Sequence, residues 1–290
     1  MRSLLFVPGD SPRKLDKAMQ AGADALIADL EDSVAPDGKD NARRITLDFL
    51  RRARTEANRP RLFVRVNGLT TGLTDADLDG VLAAAPDGIV LPKAVGGMDV
   101  SHLGGKLAVR EANFGIDDGA TAIIAIATEN ARGLFALGTF APASPRLAGM
   151  TWGGEDLSVD IGAETNRDDR GRYTEPYRLA RSLTLFGAAA AGIDPIDAVY
   201  TNFRDEAGLF AECRDARRDG FVAKMAIHPA QVAVINDAFS PSPAAIAKAR
   251  AIVDAFGRHP GAGVVGLDGE MLDRPHLERA ERLLTRVERN

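Results

Sequence analysis

Ala25-Leu26-Ile27-Ala28-Asp29-Leu30-Glu31-Asp32 is a short apolar run that ends abruptly in acids. An aliphatic segment of this length, bounded by polar residues, reads as a strand buried on both faces. Similar runs recur at Ser3–Val7, Arg61–Val66, Gly88–Leu91, Ala122–Ala127, Leu147–Trp152, Ile196–Tyr200 and Phe221–Ile227. Helical patterns lie between them, among them Pro12–Gln20, Asn41–Arg54, Asp75–Ala84 and Tyr177–Ala191. Eight strands alternating with helices predict a (β/α)8 TIM barrel, an α/β fold that typically takes about 250 residues. A doubly wound open sheet is the competing arrangement, but no Gly-x-Gly-x-x-Gly follows the first strand to support it.

The boundaries follow: residues 1–240 form the barrel, and 241–290 a C-terminal helical arm or lid. The arm carries helices over Pro243–Gly257 and Pro275–Arg289, joined by the glycine-rich 261–269, which reads as a flexible connection. Leu277, Ala280, Leu283, Leu284 and Val287 form an apolar face on the last helix. That face packs either on the chain's own barrel or on a neighbouring subunit.

Composition narrows the function. Of the 290 residues, 45% are hydrophobic, enough for a large core, and 41 acids against 36 bases give a net charge of −5. That balance argues against nucleic acid as the partner. No apolar run is long enough to span a membrane, and Pro8 interrupts the start too early for a signal peptide. The single cysteine, Cys213, excludes an internal disulfide framework, reads as structural and fits a cytoplasmic setting.

A barrel places its active site at the C-terminal ends of its strands. Charged residues gather there: Glu31 and Asp32, Arg65, Lys93, Glu129, Glu155 and Asp156, and His228. Glu129 and Asp156 end neighbouring strands, so their carboxylates could meet across the mouth. Two carboxylates completed by water and a chelating substrate suit Mg²⁺. Zinc is disfavoured, because no histidines or cysteines stand at ligand spacing. The alternative is that each acid caps the following helix or pairs with a base. Arg65, in Leu62-Phe63-Val64-Arg65-Val66, needs an anionic partner: a substrate carboxylate, an enolate oxygen or a buried Glu. Its bidentate geometry favours the carboxylate. Glu31 and Asp32, adjacent on an extended strand, point to opposite sides. Lys93 could neutralise the acids rather than do chemistry.

Together the motifs resemble the citrate lyase β-subunit-like branch of the HpcH/HpaI aldolase superfamily, which includes malyl-CoA and citramalyl-CoA lyases. The matching pieces begin with Arg2–Gly9, Asp29–Pro36, Arg65-Val66-Asn67 and Leu91-Pro92-Lys93. They continue through Trp152–Leu157, Gly220–Lys224, Ile227–Gln231 and Asp268–Asp273, and so span essentially the whole chain in the family's order.

The resemblance implies a Mg²⁺-dependent carbon–carbon lyase, or the reverse condensation, acting on a carboxylated 3-hydroxyacyl-CoA and a small 2-oxo acid. By position, Glu129 and Asp156 would hold the metal. Arg65 would hold the oxo acid and the developing enolate, and Glu31 and Asp32 would bind metal-bound waters. Phe6, Arg13 and Lys17 would contact coenzyme A, while Gly154, Glu155, Ile227 and His228 would line the substrate. Asp273 would be the general base, delivered from a neighbouring subunit of a homotrimer or hexamer. A malyl-CoA thioesterase, a malate synthase-like condensation and a citrate lyase subunit working on a carrier-bound acyl group are the rival outcomes. Two departures stand out: the family's Glu-Thr is Glu129-Asn130 here, and its Gly-Lys is Ala223-Lys224. The loop Asn166–Arg172 is long and charged, and tailors the substrate on this reading.

Overall fold

A computed structural model describes residues 1–141 and 143–289. The first strands and helices are β1 (Ser3–Pro8), α1 (Pro12–Ala18), β2 (Ala25–Asp29), α2 (Lys39–Ala53), β3 (Arg61–Arg65), α3 (Thr74–Val81), β4 (Gly88–Leu91) and α4 (Gly97–Phe114). They are followed by β5 (Ala122–Ile126), α5 (Ala131–Phe135), β6 (Leu147–Thr151), α6 (Gly154–Asp160), α7 (Glu175–Ala191), β7 (Asp194–Asp197), α8 (Glu206–Asp219), β8 (Ala223–Ala226) and α9 (Ala230–Phe239). The strands pair in parallel in chain order, and β8 closes onto β1. The expected barrel is therefore formed.

Strand alternation sorts the core into two layers. Leu4, Ala25, Ile27, Phe63, Val90, Ile124, Ile126, Ile196, Ala223 and Met225 fill the barrel. Their sequence neighbours, such as Leu5, Leu26, Val64, Ile89 and Ala125, pack in the layer shared with the helices. Both faces are apolar, which is why the strands read as continuous hydrophobic runs.

Most strand ends shift by one residue from the sequence reading, and the seventh and eighth strands shift by more. The seventh strand ends at Asp197 rather than Tyr200: the chain leaves the ladder there, and the Tyr200 carbonyl accepts from the Gln231 side chain instead. The eighth begins at Ala223 because Phe221 N–H still bonds to Ala216 at the end of α8.

Beyond α9 come α10 (Pro243–Arg258), β9 (Val264–Leu267), β10 (Glu270–Asp273) and α11 (Arg274–Arg289). The glycine-rich segment is thus largely not a flexible connection. Most of it is an antiparallel hairpin, in which Leu267 pairs with Glu270 across Asp268-Gly269. Both turn residues have positive φ, 50° and 81°, as a two-residue primed turn requires.

The arm has a small core of its own, in which Ala249, Ile252, Ala255 and Phe256 meet Val265, Leu272 and Ala280. Leu277, Leu283 and Leu284 pack against the same core, so the apolar face of α11 is covered within the chain. Among the described residues, no helix is long and apolar enough to cross a membrane.

Candidate active site

Asp29, the last residue of β2, is 2% exposed and organises one side of the barrel mouth. Its carboxylate accepts from Arg65 Nε and Nη2, both at 2.7 Å, and from the backbone N–H groups of Glu31 and Ser33. The bidentate edge of Arg65 is therefore occupied by Asp29 rather than left for a substrate carboxylate, which corrects the sequence expectation. What remains is Nη1, 3.0 Å from Glu31 Oε2 and 3.8 Å from Asp32. The guanidinium also lies 4.8 Å from the centre of the Phe6 ring. Burial alone would weaken the charge on Arg65. Its bonds to Asp29, and the charges of Asp29, Glu31 and Asp32, outweigh burial and hold its pKa above the ordinary value.

Glu31 and Asp32 do not point apart as adjacent strand residues would. The chain leaves the strand after Asp29 and turns, with Val34 N–H bonding to Glu31 O. Both acids therefore converge on the same bases. Lys93 Nζ lies 2.6 Å from Glu31, 3.5 Å from Asp32 and 3.4 Å from Asp156. Its backbone has φ +54°, an uncommon conformation for a residue with a side chain. This conformation turns its N–H onto Glu129 Oε2 while its ammonium reaches the other acids. Lys93 does act as the neutralising base that its position suggested.

Glu129 follows β5, Asp156 lies in the first turn of α6, and Glu129 is 4% exposed. The capping duty that Glu129 could have had belongs to Asn130, whose side chain accepts from Gly133 N–H at 2.8 Å. Asn130 is thus the N-cap of α5. Gly153 has to be glycine: a Cβ there would lie 2.5 Å from Glu129 Cγ. Burial pushes the Glu129 carboxyl up to about 8; the Lys93 N–H partly opposes this, and the charges of Asp156 and Glu31 reinforce it.

The site thus gathers the carboxylates of Asp29, Glu31, Asp32, Glu129 and Asp156 around Arg65 and Lys93, with Lys39 held on the backbone carbonyls of Leu30 and Glu31 behind them. Unmet acceptors and donors accompany the excess charge. Glu31 Oε2 has no aligned hydrogen bond, and the buried hydroxyls of Thr128 and Thr151 have no partner. Thr128 continues the inward alternation of Ile124 and Ile126, and Thr151 pairs laterally with Ile126, so both stand on the floor of the mouth. Such an oxygen-rich, electron-rich set fits a hard divalent cation. Among the described residues, no three His, Cys, Asp or Glu side chains are placed to cage a metal unaided. Two carboxylates that leave further positions to water and substrate match the habit of Mg²⁺.

The remaining sequence candidates divide. Phe6 is on β1, while Arg13 and Lys17 are exposed on α1, one turn apart, with no ion pair or hydrogen bond among the described residues. Ile227 and His228 follow β8; both backbone N–H groups donate to Gln231, and the His228 ring stacks on Phe203 at 4.7 Å. Glu155 accepts from Asn166 at 2.8 Å.

Asp273 is not brought to this cluster within its own chain. It ends β10, pairs with His276, and is held below the usual carboxylate range by that bond. The sequence reading did not assign roles to Asp29 or Phe203, and it took Asn166 only as part of the loop that tailors the substrate. Asp29 had a signal, an acid in phase with Arg65 on the adjacent strand; Phe203 had none.

A closed parallel barrel whose mouth gathers acids in excess of bases is the arrangement of a (β/α)8 enzyme site suited to a divalent cation. The chain belongs to the HpcH/HpaI aldolase/citrate lyase family, whose model matches residues 2–229. It is 38% identical over 294 residues to a (3S)-malyl-CoA thioesterase of Cereibacter sphaeroides, covering 99% of this chain and 94% of that one. It is 32% identical over 299 residues to the mitochondrial citramalyl-CoA lyase of Rattus norvegicus, covering 98% and 85%. Among solved structures, protein CitE from Mycobacterium tuberculosis in complex with magnesium, acetoacetate and coenzyme A superposes with a TM-score of 0.77 at 34% identity. That superposition covers 98% of this chain and 97% of that one.

Proposed function

We propose that this chain is a Mg²⁺-dependent carbon–carbon lyase acting on a carboxylated 3-hydroxyacyl-CoA such as malyl-CoA, citramalyl-CoA or citryl-CoA. The observation that carries the reading is the convergence of Glu129 and Asp156 on a mouth where carboxylates outnumber cations. Glu129 and Asp156 would hold the metal, with Glu31 and Asp32 ordering its waters. Bound there, Mg²⁺ supplies Lewis-acid polarisation and a template for the oxygens of the substrate.

In cleavage, the substrate hydroxyl loses its proton and becomes a carbonyl. The carbon–carbon bond breaks, and its electrons form the thioester enolate beside the released 2-oxo acid. Arg65, clamped by Asp29, presents a fixed positive charge to the enolate oxygen without having to reorganise. Protonating the enolate carbon gives acetyl-CoA or a close relative. In condensation the same carbon is deprotonated, the role assigned to Asp273.

Phe6, Arg13 and Lys17 would contact coenzyme A, the two unpaired bases meeting its phosphates. Gly154, Glu155, Ile227 and His228 would line the acyl portion.

Because Asp273 pairs only with His276 in its own chain, we assign it to the mouth of a second copy, in a homotrimer or a hexamer. The arm has its own core, so residues 241–290 would cross as one body rather than α11 alone. Mixing two inactive variants, Asp273→Ala and Glu129→Ala, tests this. Recovered activity in mixed oligomers is expected; no recovery once mixed oligomers have formed removes Asp273 from the neighbour's site.

A second reading, malyl-CoA thioesterase, is favoured by the 38% identical relative of that name. One assay separates the two: incubation with Mg²⁺ and a panel of acyl-CoAs, following glyoxylate, pyruvate, oxaloacetate and free coenzyme A. Oxo acid without free coenzyme A supports the lyase, and free coenzyme A supports the thioesterase. Neither product from any substrate contradicts both.

A further inference from the structure

The charged loop between α6 and α7 does not simply lie over the mouth. Arg167 turns inward and joins a buried network in the layer between the barrel and its helices. Lys224 on β8 is fully buried, and its ammonium lies 2.8 Å from Asp197 on β7 and 2.9 Å from Glu212 on α8. Glu212 in turn meets Arg167 at 3.0 Å. The other oxygen of Asp197 accepts from the indole N–H of Trp152 at 2.8 Å. Trp152 stands directly before Gly153-Gly154-Glu155-Asp156. The ring closes through aromatic contacts: Arg167 stacks 3.7 Å from the centre of Tyr173, and Tyr173 meets Trp152 edge-on at 4.9 Å.

This closure has a direct line to the site. Gly154 is wedged between Trp152 and Tyr173, since a Cβ there would meet them at 3.2 and 3.4 Å. Asn166, the neighbour of Arg167, donates to Glu155 at 2.8 Å and lies 3.4 Å from the Gly154 carbonyl. The loop is therefore bolted at one end to Lys224 through Glu212, and it holds the turn carrying Glu155 and Asp156 at the other.

We infer that Arg167 is a positioning residue: its latch onto Glu212 and Tyr173 fixes the Gly154–Asp156 turn, and so the geometry of the metal and substrate site, without itself touching substrate. Its Nη1 is taken by Glu212 and the Gly171 carbonyl and its face by Tyr173, while Nη2, without a hydrogen-bond partner among the described residues, is buried away from solvent and so from substrate. A small displacement of a positioned group is enough to cost about a hundredfold in rate.

The inference rests on the proposed reaction for its kinetic arm only. Trp152 is the single tryptophan of the chain, so its fluorescence reads the latch with no substrate present. Arg167→Met is expected to shift Trp152 emission to the red and to raise acrylamide quenching severalfold. The melting temperature should stay near wild type, because the loop end is outside the core. With Mg²⁺ and the thioester that wild type turns over, kcat/KM should fall about ten- to a hundredfold, mostly through KM. Arg167→Lys, which keeps a cation for Glu212 but loses the planar stack, should recover part of both signals. Glu212→Gln, which releases the latch from the other side, should reproduce the fluorescence and kinetic signals of Arg167→Met, with an added loss of stability because buried Lys224 loses one of its two carboxylates.

Unchanged fluorescence and kinetics in Arg167→Met overturn the inference. So does altered fluorescence with wild-type kinetics, which would make the loop a mere cover. A wild-type protein inactive on every thioester contradicts the proposed reaction and leaves the fluorescence arm to decide the latch.

Discussion

Two charge clusters on adjoining parts of the barrel differ in their balance. In the layer behind β7 and β8, Lys224, Arg181 and Arg167 face Asp197, Glu212 and Asp219, with Arg218 also on Asp219, so that cations at least match the carboxylates. At the mouth, Asp29, Glu31, Asp32, Glu129 and Asp156 share Arg65 and Lys93. The consequence is visible in two deeply buried acids. Burial pushes both carboxyls up, but Lys224 and Arg181 more than reverse that for Asp197, which ends below its ordinary value. Glu129, whose nearest charges include Asp156 and Glu31, ends at about 8. A balanced cluster is complete as it stands. An unbalanced one is stable only with a proton or a cation added, and that distinguishes scaffold from site.

Substitutions on the two sides should separate in kind, except at Arg167, which belongs to the balanced cluster but reaches the mouth through its neighbour Asn166 and Glu155. At the mouth, Glu129→Ala or Asp156→Ala should abolish Mg²⁺-dependent turnover, by roughly a thousandfold or more, the scale of losing a main electrostatic stabiliser. Circular dichroism should show the fold retained. In the balanced cluster, Lys224→Met should act on stability instead, costing about 3–5 kcal/mol because Asp197 and Glu212 lose their shared cation. Denaturant midpoints should fall equally with and without Mg²⁺. A Lys224 variant rescued by Mg²⁺ would erase the distinction.

Arg65→Lys tests the clamp between Asp29 and the mouth. The charge survives but the planar fork does not, so turnover should lose on the order of 2–4 kcal/mol of transition-state stabilisation. Steady-state kinetics near wild type would make Arg65 structural.

The smallest effect is a linkage. Glu129 has a folded pKa raised from 4.5 to about 8, so its favourable contribution is full below 4.5 and is lost as pH rises through 8. Metal-free protein should therefore lose stability over that window. Mg²⁺, which favours the ionised form, should raise the melting temperature more at pH 8 than at pH 6. An equal rise at both would mean that the proton is elsewhere.

Much of this was legible in the sequence. Apolar runs ending in charge located the strands and the mouth together, because a barrel puts chemistry where its strands stop. The hairpin of the arm was legible too: Asp268-Gly269 between Val265, Leu267, Met271 and Leu272 is a turn signal, obscured by four glycines that suggested slack. The partner of Arg65 was not settled by the sequence. That guanidinium could serve a ligand or an acid equally, and only the register of β2 against β3 places Asp29 beside it. The sharing of Lys93 among acids from separate loops depends on its positive φ, which no local pattern announced. The loop Asn166–Arg172 read as a substrate-tailoring segment, and the inward pairing of Arg167 was hidden because its acceptor, Glu212, lies 45 residues further along the chain.

Calorimetric titration of Mg²⁺ into the wild-type protein and into Glu129→Ala, at pH 7 in two buffers of different ionisation enthalpy, tests the imbalance most directly. Wild type should bind one ion per chain, with a buffer-dependent heat that reports proton release from the Glu129 carboxyl. Affinity should weaken by up to about tenfold for each pH unit below the Glu129 pKa. Glu129→Ala should bind far more weakly and release no proton. Equal affinity in the two proteins, or binding with no proton released, would contradict the account.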